Sequence, residues 1–212
     1  MARAMPERGH PDGEGGEVRV YGLDGYRRRP TGEERTAHVG MAIFLGSWAM
    51  LFAGLFFAYA FVRAGAPVWP PPEAPPLPRL VPGLNTLVIA ASSVAMVRAV
   101  RQAELRRAAR AARHLGVAGV LGATFLVLQT LVWIDLWRAG LVPSGGAYAS
   151  VFYAFTAFHA LHVLVGLAAL AALAFRARSP DGATRTRVRL WGWYWHFVGA
   201  LWVALYAAVY LA

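Results

Sequence analysis

Residues 39–62 read VGMAIFLGSWAMLFAGLFFAYAFV, 24 consecutive positions without a charged side chain, closed by Arg63. At 1.5 Å per residue a helix of that length crosses the roughly 30 Å of hydrocarbon in a bilayer. Four further tracts extend the pattern. Residues 80–97 are uncharged up to Arg98, with Pro82 in the first turn, where its missing N–H costs little. Residues 115–134 run uncharged to Asp135. The apolar stretch from Ala139 to Phe175 is too long for one ordinary span, and Pro143, Gly145 and Gly146 divide it, leaving a helix over 148–175. Residues 190–212 carry no charge. The expectation is an all-α, polytopic membrane protein: one domain over 39–212, a bundle of five transmembrane helices at about 39–62, 80–97, 115–134, 148–175 and 190–212.

Between the tracts the sequence turns polar in two ways. Seven prolines between Pro67 and Pro78 make the first connection an extended loop, with Trp69 at an interface. The second, RAVRQAELRRAARAARH, is rich in Ala, Leu and Arg, which suits helical extension of the adjoining spans into the headgroups. Ser179–Gly182, SPDG, reads as a turn. Arg positions alternate in density: seven in residues 1–38, six in the second connection and five in the fourth, against two in the first and one in the third. Positively charged loops stay on the cytoplasmic side, so the amino terminus is expected inside and the carboxyl terminus outside a bacterial cytoplasmic (inner) membrane. Residues 1–38 have no apolar signal segment and read as a flexible cytoplasmic tail.

Composition agrees with this division: 58% of the chain is hydrophobic and only 15% charged, leaving the apolar residues no soluble core of ordinary proportions to fill. The formal charge of +10 is carried entirely by Arg beside apolar tracts, so anionic lipid headgroups, and not nucleic acid, are the expected partner. There is no Cys, which removes thiolate metal sites, CxxCH haem attachment and a dicysteine copper centre. HExxH, Walker, GxSxG and GxGxxG patterns are missing too.

Polar residues inside apolar tracts carry the remaining information, because each must find a partner away from water. Asn85 reads either as a fastener of the neighbouring loop and first turn or as a lipid or subunit contact. Ser92 and Ser93 suit bonds to carbonyls one turn back and close helix packing. Gln129 suits a bond to the fourth span, or a channel or ligand pocket. Gly116, Gly119 and Gly122 suggest close approach of another helix. His159 and His162, three apart, share a helical face on which two imidazoles would begin a metal site or proton relay, but no carboxylate or thiolate completes it. Hydrogen bonding to other helices or to headgroups is the simpler reading. A haem held between His residues would need a partner at matching depth, and His196 lies near the cytoplasmic start of its span. No catalytic, cofactor-binding or metal-binding residue is therefore assigned. Trp191, Trp193, Tyr194 and Trp195 read as an aromatic belt, and Arg187, Arg189 and His196 as a phosphate-contacting group beside it.

Five stretches in order, HVGMAIFLGSWAMLFAGLFFAY (38–59), PGLNTLVIAASS (82–93), GATFLVLQTLVW (122–133), FYAFTAFHALHVLVG (152–166) and YWHFVGALWVALYAAVYL (194–211), resemble the third subunit of bacterial haem-copper terminal oxidases, the cytochrome c oxidase subunit III family. The likeness covers all five spans and matches the five-helix form that lacks the first two helices of longer members. It implies a bundle with a lipid-filled cleft and bound phospholipid. It implies subunit I as partner, carrying the haem and copper, with subunit II and other small subunits. It also implies a noncatalytic role: stabilising the catalytic subunit, supporting proton uptake and holding lipids that help oxygen reach the active centre. The chain departs from the family where Trp48, Val132 and Gly199 replace customary membrane acids, which leaves open an accessory subunit of a nitric oxide reductase-type complex of the same fold. A small membrane transporter is the remaining alternative, and the absence of buried charge or paired broken helices speaks against it.

Overall fold

The computed structural model describes residues 32–176 and 182–211; the residues before Gly32, Arg178 and most of the SPDG turn lie outside it. The described residues form five long helices and no strand: α1 Gly32–Gly65, α2 Leu80–Glu104, α3 Ala108–Arg138, α4 Ala147–Arg176 and α5 Gly182–Tyr206, the last continuing as a π-helical turn over Ala207–Leu211. All five are long and apolar enough to cross a membrane. The protein is a five-helix membrane-spanning bundle.

Each helix runs past its uncharged tract into polar flanks. α1 begins seven residues ahead of Val39, with Glu33 and Glu34 in its first turn, where carboxylates favour the positive end of the helix dipole. α2 continues through Arg98 and Arg101, and α3 begins at Ala108. Long Arg side chains can lay their stems on apolar surface while the guanidinium reaches water, so charge does not end these helices. What ends α2 is a tight reversal. Arg107 N–H donates to Gln102 O (2.9 Å) and Arg106 N–H to Ala103 O (3.1 Å), while Arg106 takes a left-handed φ of 56°. α3 closes with the same bond pattern, Leu141 N–H to Leu136 O (3.0 Å) and Gly140 N–H to Trp137 O (3.1 Å), but there the left-handed position, φ 93°, is a glycine.

The core follows a single rhythm. Buried positions in α2 are 82, 85, 89, 92, 96, 99 and 103, with Ala95 buried beside this line; in α3 they are 111, 115, 118, 122, 125, 129, 132 and 136. A buried line in α4 runs 149, 152, 156, 159, 163, 166, 170 and 173, and α5 repeats Val188, Trp195, Trp202 and Val209 at sevens. Alternating steps of three and four keep one stripe facing a neighbour when helices pack side by side, as in left-handed bundles. α2 and α3 pack most extensively, α4 and α5 close the group, and α1 leans on α4 and α5 from outside. A second α4 stripe, Tyr148, Phe155 and His162, meets α1: Phe52 and Phe56 lie against Phe155, and Trp69 of the proline-rich loop bridges Tyr59 and Tyr148. Trp69 thus pins the loop to the bundle. Most of α1 remains uncovered, with Ile43, Met50, Phe57 and Phe61 more than 60% exposed, so its outer face is left to lipid or to another chain.

Candidate functional site

The buried polar residues sit on the three-four stripes, so each points at a neighbouring helix. In α2, Ser92 Oγ donates across to Ala118 O of α3 (2.9 Å) and accepts the indole N–H of Trp195 from α5 (3.0 Å). One hydroxyl therefore joins three helices, in place of the bond to its own preceding turn that its residue type suggests. Ser93 is only half-buried, facing Gly199. Thr86 does bond back to Pro82 O (3.1 Å), and its oxygen accepts Trp202 Nε1 (3.1 Å). Asn85, fully buried, donates to Phe125 O of α3 (3.2 Å); it fastens a helix and not the loop. Gln129 donates to Tyr210 Oη at the end of α5 (3.2 Å), so its partner lies on the fifth span and not the fourth. The relative depth of two residues depends on helix tilt and on where each helix begins, neither of which span counting supplies.

Trp195 is the largest departure from the sequence reading. Trp193 is 41% exposed, as a belt residue would be, but Trp195 is 1% exposed and lies inside the bundle. Its ring passes between Gly122 of α3 and Gly166 of α4, where added methyl carbons would stand 2.6 and 2.7 Å from ring atoms. Of the three α3 glycines only Gly122 has this role, since nothing lies within 4 Å of a methyl at Gly116 or Gly119. The seven-residue spacing of Val188, Trp195, Trp202 and Val209 is the sequence signal that separates the buried tryptophan from its exposed neighbour.

The histidines divide between two seams. His159 is buried against Phe125 and Trp202, ring centroids 5.8 and 5.5 Å away, with neither nitrogen hydrogen-bonded. His162 turns toward α1, where Trp48 meets it edge-on at 4.0 Å and Phe52 at 5.2 Å; its Nδ1 donates to Phe158 O (2.5 Å). Tyr194 Oη donates to the His162 carbonyl (2.9 Å). The pair therefore does not converge on one ligand. Among the described residues no three His, Cys, Asp or Glu side chains are grouped to hold a metal ion.

These contacts also define the surroundings of the three neutral replacements. Trp48 fills the space beside His162 with an aromatic ring. Val132 is buried on the α3 stripe, and a methyl at Gly199 would stand in ordinary contact with Ser93 Oγ of α2, 3.5 Å away. A carboxylate at 48 would face the His162 imidazole, whose Nε2 is buried and without a hydrogen-bond partner, so Trp48 stands where a partner for an acid is still present.

At the arginine-rich end the side chains are polar. His38 of α1 donates through Nδ1 to Glu34 O and accepts Arg189 Nη2 at Nε2 (2.6 Å), so the imidazole bridges a carbonyl of its own helix and a guanidinium of α5. Thr186 donates to Glu34 (3.4 Å), and Trp193 meets the His38 ring edge-on at 5.2 Å. Arg187 is exposed and His196 half-buried. A cavity of ≈ 510 Å³ opens here between α2 and α5, walled by Val97, Val100, Gly192 and Trp193, with Arg101, Glu104, Arg189 and His196 at its edge.

Residues 30–212 match the family model described as cytochrome c oxidase subunit III. The chain is 36% identical over 177 residues to the cytochrome c oxidase subunit 3 of Synechocystis sp., covering 81% of this chain and 74% of that protein. It is 37% identical over 176 residues to a probable cytochrome c oxidase subunit 3 of Nocardia farcinica, covering 81% and 86%. It is 32% identical to one of Rickettsia bellii, covering 82% and 68%.

Proposed function

The chain belongs to the cytochrome c oxidase subunit III family, and from that membership we infer that it is the noncatalytic third subunit of a respiratory haem-copper oxidase. In this reading it stabilises subunit I, which carries haem and copper, meets subunit II and other small subunits, and holds phospholipid in a cleft beside α1. The observation that carries the reading is where the buried polar side chains go. Asn85, Ser92, Gln129 and Trp195 are all engaged in bonds between helices. Such bonds, about 0.6 kcal/mol each on average in membrane proteins, build a scaffold, and among the described residues no three His, Cys, Asp or Glu side chains are grouped to hold a metal ion. The uncovered apolar face of α1 suits lipid and a neighbouring membrane subunit.

The arginine-rich end lies on the cytoplasmic side in this account, residues 39–212 form the membrane domain, and the polar tail precedes it inside a bacterial inner membrane. Arg187, Arg189 and His196 contact headgroups there, while Ser93, His159 and His162 serve helix packing. Isolation of the tagged chain in mild detergent tests the reading. A haem-bearing polytopic subunit should accompany it in constant ratio; isolation alone, or with a partner lacking haem, would overturn it. Co-isolation with an enzyme that reduces nitric oxide and not oxygen would select the accessory branch of the same fold.

A further inference from the structure

The cavity between the arginine-rich ends of α2 and α5 joins an apolar wall to charged side chains. Its floor is apolar and close-packed: Gly192 brings α5 so near α2 that a methyl there would meet Val100 Cγ2 at 3.1 Å. Val97, 55% exposed, continues this wall toward the hydrocarbon. Its edge carries both signs of charge. Arg101 and Glu104 are exposed, and among the described residues neither has an ion-pair partner. Arg189 spends one nitrogen on His38, while its Nε is buried and without a partner. Two guanidiniums over an apolar wall suit an anionic phosphate oxygen pair whose substituents run into lipid. A single carboxylate beside them suits a hydrogen-bond donor on the other side of that phosphate.

We propose that this cavity binds a phospholipid whose phosphodiester is met by Arg101 and Arg189 and whose head alcohol carries a hydrogen-bond donor, hydroxyl or ammonium, received by Glu104. His196 stands at the same edge and supplies a further donor to the phosphate. The proposal deepens the lipid-holding part of the function above and rests on it. It assigns a place between α2 and α5 and a selection rule: a headgroup with no N–H or O–H is disfavoured.

Native mass spectrometry of the full chain with added short-chain phosphatidylethanolamine, phosphatidylglycerol, phosphatidylcholine or inorganic phosphate tests it. The ethanolamine and glycerol lipids should bind about tenfold tighter than the choline lipid, the factor expected for one charge-assisted hydrogen bond. Glu104→Ala should erase that preference, and Arg101→Gln should weaken all three lipids; both side chains are exposed, so the bundle should be unaffected. Equal binding of the three lipids to the unaltered chain, no response to either substitution, or displacement of lipid by millimolar inorganic phosphate would each overturn the proposal. Recovery of the haem-bearing partner, scored in the same preparations, reports separately on the broader function.

Discussion

Gly122→Ala probes whether the Trp195 indole sets the spacing of α3, α4 and α5. A methyl carbon at 122 would stand 2.6 Å from Cη2 and 2.7 Å from Cζ2 of Trp195, and 3.0 Å from Leu167 Cδ2. Comfortable carbon contacts are about 3.5–4.0 Å, so the ring would have to retreat by roughly 1 Å. It has nowhere to go: on its other side a methyl at Gly166 would already lie 2.7 and 2.9 Å from Cζ3 and Cε3, so the α4 backbone blocks it. Sliding along the helix would break the bond to Ser92. Overpacking of this kind costs about 1–3 kcal/mol. Alanine gains about 0.8–1.0 kcal/mol over glycine in helix propensity, but only where unfolding melts the helix, and heating in detergent leaves much of it formed. A net loss of about 1–2 kcal/mol should lower the midpoint of heat-induced loss of the monodisperse peak by about 2–8 °C. Adding Trp195→Phe shrinks the ring, so the double variant should lose about 1 kcal/mol less than the sum of the singles. A Gly122→Ala protein that melts at or above the parent, or strictly additive losses, would refute the reasoning.

Arg106→Gly should raise the melting midpoint by the equivalent of about 0.5–1 kcal/mol, because the left-handed φ of 56° penalises a side chain, while Gly140→Ala at the matching position after α3 should lower it by a similar amount. Trp48→Ala should speed amide exchange in α1 around residues 43–55 and leave α2 and α3 unchanged, since Trp48 contacts α4 through His162; uniform acceleration would contradict that seam. The chain lacks Cys, so Leu105→Cys, exposed in the α2–α3 turn, is a clean probe of sidedness. An impermeant maleimide should reach it only from the cytoplasmic side, and labelling in intact cells would reverse the assigned topology.

The five spans were legible because hydrocarbon tolerates few charges, and 39–62, 80–97 and the rest stand out by their lack. Helix ends were not, because Arg ends an apolar tract without ending a helix: α2 runs on to Glu104 and stops only where Arg106 turns left-handed. That Asn85, Ser92 and Gln129 would act as fasteners follows from their polarity in an apolar tract, yet their partners do not, since Phe125, Ala118 and Tyr210 are chosen by register between helices. Adjacency misled at Trp195. It sits next to belt residues along the chain, but one residue of a helix turns the side chain by about 100°, and the stripe at sevens carries it inward. His159 and His162, three apart and so only about 60° apart round α4, still fall on adjacent stripes that meet different helices.

Dissociating the purified complex and recording a reduced-minus-oxidised spectrum of each separated protein tests the central claim most directly. All haem absorption should remain with the partner and none with this chain. A stoichiometric haem signal from the isolated chain would contradict the account of it as a scaffold.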